Sequence, residues 1–572
     1  MNEALRDLID ELYKHKVRVP INRLTLGLLD GLGELTDPSA EAEETALRSA
    51  RTLLARLQGV DLASLSADEA IDHTLAVQLL EQELFWGEAR FNGRSHLQQT
   101  PMAGDELGDG VYLMLVNDPR PADQRLDDIL ARLLATPAFL ERMFRRLHTP
   151  VARWTARELS TLDGLPSLHD TVERLAEEVH YPKLEALRAA RATAEAAITR
   201  YAEALRALPT TPHLHIGVEQ TERLLRAKGV TLSLDALHQL ARDFVARNRD
   251  EVEALRARLV GRYGLPQDTT AEALQEHLNA RFAVALPDGQ LEAVLEVYEA
   301  EHRAILAFIQ AQDLFPMPPD HDLRILRTPP FMAPLIPAGA MMPPPPFREG
   351  TQTSLVYLTL SEALRDEHTA LSIPAMMVHE GIPGHHLQLA WAAGHPSIVR
   401  RLTSANDQAE GWTTMLEDWM LDQGYRAEQA DELRFITKRD IARIGPRVAI
   451  DLFFMTGERR FLDIGVNVDL SHPDPFVAAG ALLRAVTGFV PERVEAELGW
   501  YSLHRGVPLS YLLGNHLIWE TKRSLANAAP PNADPLALDR AFHRAFLELG
   551  SMPMALAQRA LLTRVLSPME AL

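Results

Sequence analysis

Eleven prolines fall between residues 316 and 346, ending in the run MMPPPPF, and no helix can pass through them. Proline lacks the N–H that a helix interior uses, and its ring collides with the preceding turn. The text on either side is of another kind. In ETALRSARTLLARL (44–57), Leu47, Leu53, Leu54 and Leu57 recur at helical intervals. Residues 182–207 are rich in Ala, Leu, Glu and Arg, which are strong helix formers. Ser233 stands as an N-cap before the long amphipathic run LDALHQLARDFVARNRDEVEALRARL. Helical text returns over 362–572, and no fixed-period repeat suggests a solenoid. The expected class is therefore mainly α, one large helical body enclosing a deep cleft with a short β-sheet near the active site, made of an N-terminal helical region (1–312), a Pro-rich connection with short strands (313–360) and a C-terminal helical catalytic region (361–572). Within the connection TQTSLVYLTL (351–360) reads as a strand. The prolines before it fit a structured irregular connection leading to a short sheet, or a plain linker.

The 572 residues would fill three or four average domains, or one large helical body wrapped around a cleft. With 58 Lys and Arg against 79 Asp and Glu, the formal charge is −21. Such a surface repels phosphate backbones and anionic lipid headgroups, so neither nucleic acid nor a membrane is the expected partner. The same charge also serves solubility alone. No cysteine is present, which excludes disulfides, thiolate nucleophiles and zinc–thiolate sites. A transition metal would have to sit on His, Asp and Glu. The first twenty residues are charged and amphipathic, without a secretory apolar region, and no 18-residue uncharged apolar window exists. The expected location is cytoplasmic. The residues give no indication of oligomeric state.

The chemically distinctive text is PAMMVHEGIPGHHLQLAWAAG (374–394). A His–Glu pair alone is uninformative in a chain with 21 histidines. Here an apolar run enters the pair and two further histidines follow within two turns. In the common zinc helix the two histidines are four apart, but position 383 is Pro. On an ideal helix six residues turn about 600°, leaving His385 about 120° off the face of His379. Seven residues turn about 700°, so His386 returns to the face, but about 10 Å along the axis. Neither fits a shared ion about 2 Å from each nitrogen. Pro383, flanked by Gly381 and Gly384, permits a break that would swing His385 back. His385 is thus the expected second ligand, with His386 the alternative. The bland reading of the same ten residues is a broken helix with solvent-facing histidines. A third ligand is sought in ANDQAEGWTTMLEDWMLDQGY (405–425), which reads as a helix ended by Gly424. Glu410 is the best candidate, sharing a face with Glu417 seven residues on. Both could equally face solvent, since Trp412, Met415, Trp419 and Met420 compete for burial.

HEGIPGHHLQ, followed by EGW at 410–412, resembles the domain-of-unknown-function-885 family. Its members are regarded as bacterial metallopeptidases of the Glu-zincin type, helical, and similar in architecture to oligopeptidases and carboxypeptidases that enclose a deep cleft. HIGVEQTERLLRAKGV (215–230) extends the likeness, and its specific part is 374–515. The resemblance implies His379, His385 and Glu410 as zinc ligands, Glu380 as general base, and Tyr511 in PLSYLLG as donor to the oxyanion. It also implies a supporting role for Arg459 and Asp463 in ERRFLDIGVN. The chain departs from the family pattern at Asn467, where relatives carry His, and at RGVP (505–508), where they carry P-G-Q-A; His504 and Arg505 stand nearby. The expected function is zinc-dependent hydrolysis of peptide or amide bonds in short peptides, although Mn or Co would suit such ligands too. The alternatives are a catalytically silent peptide- or protein-binding member and a metal-dependent amidase acting on small molecules. Ser/His/Asp catalysis and nucleotide folds are disfavoured, because neither G-x-S-x-G nor a glycine-rich phosphate loop occurs.

Overall fold

The computed structural model describes residues 2–286, 290–328, 339–361 and 368–570. It is mainly helical with a small sheet. The expected helices form as Ala40–Gln58, Leu184–Ala207 and Leu234–Tyr263, and Ser233 caps the last by accepting from Ala236 N. None of the described helices is long and apolar enough to cross a membrane.

The chain divides into two compact units. The first contains Met1–Ala227, Pro345–Arg348 and Ser397–Leu402. In it the helix Ala122–Arg146 buries Leu126, Ile129, Leu133 and Leu140 against Leu187, Ala190, Ala194 and Ile198 of Leu184–Ala207. These are i, i+3 and i+4 spacings, the stripe that an amphipathic helix turns toward a core. The distant segment Ser397–Leu402 is held in this unit by Arg400, which is 2% exposed. Its Nε donates to Asp72 Oδ1 at 2.7 Å and its guanidinium reaches Asp68 Oδ1 at 2.9 Å. Asp72 is itself buried, so neither charge has water to fall back on.

The second unit contains Lys228–Pro344, Glu349–Pro396 and Thr403–Leu572. In it Leu255, Leu259, Leu274 and Leu278 share an apolar cluster with Leu421, Leu433, Phe435 and Ile436. The three-stranded sheet lies here. Gln352–Leu358 is the central strand, parallel to His321–Arg327 and antiparallel to Gly339–Met342. The two flanking strands, His321–Arg327 and Gly339–Met342, belong to the Pro-rich segment, of which 329–338 lies outside the described residues. Both strands drawn from it are edges, where a neighbouring proline costs no ladder hydrogen bond. The central strand, free of proline, is buried from Ser354 to Leu358.

Two helices of this unit make an unusually close crossing. Asn406–Asp422 lies against Ser510–Ala528 with Gly411 on Gly514. A Cβ on Gly411 would stand 2.4 Å from the Gly514 carbonyl carbon, and one on Gly514 would stand 1.7 Å from Asp407 O. Both obstacles are backbone, so neither position accepts a side chain without moving a helix.

Arg400→Ala leaves Asp72 buried and unpaired, and is expected to destabilise the first unit by about 3–5 kcal/mol. Urea unfolding followed by circular dichroism measures this, and an unchanged midpoint would refute the role given to the pair.

Candidate metal centre

The helix Ser372–Glu380 begins at a reciprocal turn in which Thr369 N donates to Ser372 Oγ and Ser372 N to Thr369 Oγ1, at 2.8 and 3.0 Å. It buries Ile373, Pro374, Met377 and Val378, which leaves His379 and Glu380 half-buried at its end. The helix then stops. Gly381 (φ −94°, ψ −131°) and Gly384 (φ −75°, ψ −132°) flank a cis Ile382–Pro383 bond, and a second helix runs His385–Ala393. Gly384 lies so close to the first helix that a Cβ there would be 1.9 Å from His379 O. The chain thus doubles back onto the turn it has just left. Trp412, fully buried, fixes the break by donating from Nε1 to Pro383 O at 2.9 Å.

The break removes the angular mismatch of an ideal helix. The His379 and His385 rings lie 4.9 Å apart, edge to face. Glu410, on Asn406–Asp422, places Oε2 at 3.7 Å from His379 Nε2 and 3.5 Å from His385 Nε2. One donor atom from each of the three lies within 4.8 Å of the others. Ligands on a tetrahedral zinc sit about 3.4 Å from one another, given bonds of about 2.0–2.1 Å. The carboxylate–imidazole spacings are therefore within a few tenths of an ångström of what a small cation needs.

Polar satisfaction tests the fit independently. Glu410 Oε2 and His385 Nδ1 are buried with no hydrogen bond of ordinary geometry among the described residues. A buried carboxylate oxygen without a donor is expensive, and a cation between it and the two nitrogens removes that expense. Burial pushes the Glu410 carboxyl upward, but the His385 and His379 imidazoles and the Tyr511 hydroxyl outweigh it and hold it down to about 2. Burial pulls His379 downward, whereas its bond to Glu417 and the charges of Glu380 and Glu410 carry it up to about 9. The surrounding carboxylates thus stabilise positive charge on the His379 ring.

Glu417 completes the arrangement. Its Oε1 lies 2.6 Å from His379 Nδ1, so the seven-residue spacing of Glu410 and Glu417 sets one carboxylate on each ring nitrogen. With Nδ1 donating to Glu417, the neutral form of the ring would carry its lone pair on Nε2, the nitrogen that faces Glu410. His386 has another task. Fully buried, it contacts Ser354 Oγ at 2.7 Å through Nδ1 and His321 Nδ1 at 3.0 Å through Nε2. Burial, with His321 and His302 nearby, lowers its pKa to about 3, as suits a neutral ring that ties the second helix to the sheet.

Glu380 makes no hydrogen bond or ion pair among the described residues. Tyr511, on Ser510–Ala528, reaches the Glu410 carboxylate with its hydroxyl. Burial and then the Glu410 charge raise its pKa, so the phenol keeps its proton. Arg459 and Asp463 are not brought into this cluster. Arg459 donates to Leu470 O and Pro473 O at 2.9 Å each, closing its own loop, and Asp463 and Asn467 are exposed. Arg505 lies buried beside Asp451, and His504 stacks near Trp500.

Sequence reasoning missed Arg447. Its guanidinium carbon sits 4.5 Å above the Tyr511 ring, with Nε on Tyr501 Oη at 2.9 Å and one Nη on Glu497 at 3.0 Å. The signal was present: IGPRVAIDLFFMT carries one Arg and one Asp at i, i+4 in an otherwise uncharged run, and all thirteen residues are buried. Ionisable groups so placed need a stated partner or a task.

The fold and the site together define a mainly helical protein in which a broken helix and a second helix bring two histidines and a glutamate to one point. The chain belongs to the family described as bacterial protein of unknown function (DUF885), whose profile matches residues 20–561. Its fold is similar to that of a candidate lipoprotein of unknown function from Shewanella oneidensis, at 19% identity and a TM-score of 0.74, covering 97% of this chain and 98% of that one. A candidate lipoprotein from Colwellia psychrerythraea is similar at 15% identity and a TM-score of 0.78, covering 98% and 99%. At such identities the likeness is one of fold alone. No curated protein matches the chain.

Glu417→Gln keeps the shape of the side chain but loses the anionic acceptor at His379 Nδ1. Metal affinity, read by competition with a chromogenic chelator, is expected to fall about 10–100-fold. Undiminished affinity would show that Glu417 does not orient the ring.

Proposed function

We propose that the chain is a zinc-dependent peptidase that hydrolyses amide bonds of short peptides. The supporting observation is the convergence of His379 Nε2, His385 Nε2 and the unpartnered Glu410 Oε2. A cation held by these residues would polarise the scissile carbonyl and acidify the attacking water. Glu380, adjacent to the first histidine and without a competing partner, takes the water's proton and delivers it to the leaving nitrogen. Tyr511 donates its retained proton as a hydrogen bond to the oxygen on which charge develops, a contribution of about 3 kcal/mol for one such donor. Glu417 keeps His379 in the tautomer that leaves Nε2 free.

Three substitutions test the assignment. Glu380→Gln is expected to lower kcat by about 10²–10⁴-fold on a peptide library while zinc content stays at one per chain. His385→Ala should lose the metal, whereas His386→Ala should keep it and melt at a lower temperature, since its bonds to Ser354 and His321 are structural. Full activity in Glu380→Gln, or metal retention in His385→Ala, would overturn the mechanism. Stoichiometric zinc without cleavage of any peptide would favour the binding-protein alternative.

A further inference from the structure

The first unit holds a cavity of about 420 Å³ that includes none of the residues of the proposed metal centre. Sites for small molecules commonly enclose about 300–1,000 Å³. One wall is a single face of Ala40–Gln58, on which Ala40, Glu43, Leu47 and Arg51 recur at intervals of three and four. The other walls come from the end of Ala67–Glu88, the hairpin formed by Arg90–Phe91 and Arg94–Ser95, and the last turn of Ala122–Arg146. Gly87 brings the first two helices together, since a Cβ there would stand 2.5 Å from Leu47 Cδ2.

Several of the charges lining the cavity are already matched. Arg51 donates to Glu88 at 3.0 Å and to Glu44 at 3.2 Å, Glu88 also accepts from Arg223 at 3.1 Å, and Arg145 pairs with Glu141. Three charges are not matched. The side chains of Glu43 and Arg90 make no hydrogen bond or ion pair among the described residues. Arg146, half-buried, donates to the Met143 sulfur at 3.0 Å, and a thioether is a weak acceptor. Its Nε is closed to solvent and has no partner among the described residues. Burial raises the Glu43 pKa, although Arg146 and Arg90 pull against it, and burial lowers that of Arg146 against the pull of Glu43. Each group has thus lost hydration that no hydrogen bond to an ordinary acceptor or donor replaces. Opposite charges line one cavity and do not close onto each other.

We propose that this cavity binds a small zwitterion, a free amino acid or a short peptide with both termini free. Its carboxylate would lie on Arg146 and Arg90, and its ammonium on Glu43. A guanidinium presents paired N–H groups that match the two oxygens of a carboxylate. A ligand with only a negative charge would gain the arginines but meet Glu43, and one with only a positive charge would do the reverse. The cavity therefore discriminates against both and favours a molecule carrying the two charges together. The site stands apart from the peptidase reading and does not depend on it.

The test is calorimetric titration of the full chain with L-alanine, δ-aminovalerate, valerate and n-pentylamine. The charges of δ-aminovalerate are separated by as many chain atoms as those of a dipeptide. None of the four probes contains an amide bond, so a peptidase leaves them intact. At least one of the two zwitterions is expected to bind about tenfold more tightly than valerate and pentylamine. Tighter binding of L-alanine assigns a free amino acid, and tighter binding of δ-aminovalerate assigns a peptide. Glu43→Gln and Arg146→Met should each cut the preference to about threefold or less, with metal content unchanged. Should Arg146→Met fail to fold, Glu43→Gln, which breaks no hydrogen bond among the described residues, decides alone. The site is overturned if neither zwitterion binds, if a singly charged probe binds as tightly as both zwitterions, or if the preference survives Glu43→Gln.

Discussion

Where Asn406–Asp422 crosses Ser510–Ala528, backbone meets backbone, because Gly411 and Gly514 present no side chain to keep them apart. Everything chemical in the second unit is registered to that contact. Gly411 adjoins Glu410 on one helix, and Gly514 stands three residues after Tyr511 on the other, so the crossing delivers carboxylate and phenol to the same place. Trp412, on the far side of Gly411, reaches the broken helix through Pro383 O and fixes where His379 and His385 lie relative to Glu410. Three consecutive residues, Glu410, Gly411 and Trp412, thus carry the proposed ligand, the close approach and the clamp.

The electrostatics follow from this placement. Bringing two imidazoles and two carboxylates out of water is unfavourable unless each charge finds its opposite. His379 lies between Glu417 and Glu410, with each ring nitrogen facing an acid, and Glu410 faces both histidines. The arrangement is asymmetric where it matters: the Glu417 contact is a short hydrogen bond, and the Glu410 contacts are longer and unfilled. One side of the ring is anchored, and the other side is open to the ion proposed above.

Much of this could be read from the residues, and the limits have physical causes. Helical periodicity and capping gave the helices, since these are local properties, and Ser233 is the N-cap that its position suggests. The choice of His385 over His386 came from the angular argument together with the Gly-Ile-Pro-Gly interruption. The pairing of Glu410 with Glu417 was visible as a spacing, but not its meaning, because the ring between them arrives from another helix. Arg447 escaped notice because a lone arginine in an apolar run becomes informative only when its neighbours are known. Of the short strands expected within 313–360 only the one at 351–360 could be given bounds, because the proline flanks of His321–Arg327 signal irregular chain, and a two-edged sheet tolerates them. Which helices share a core is decided by contacts far apart in sequence, such as those of Leu255 and Leu259 with Leu433 and Phe435.

His385 and His386 are neighbours with opposite allegiances, one turned to Glu410 and the other to Ser354 and His321. Loss of a single residue between Gly381 and Gly384 would carry His386 to the carboxylate and Leu387 to the strands, and gain of one would carry His385 to the strands and leave Gly384 at the carboxylate. The spacing of this short connection is consequently held as tightly as the identity of the side chains it delivers. Insertions there should be the rarest of changes among functional descendants of this chain, even where the surrounding helices drift freely.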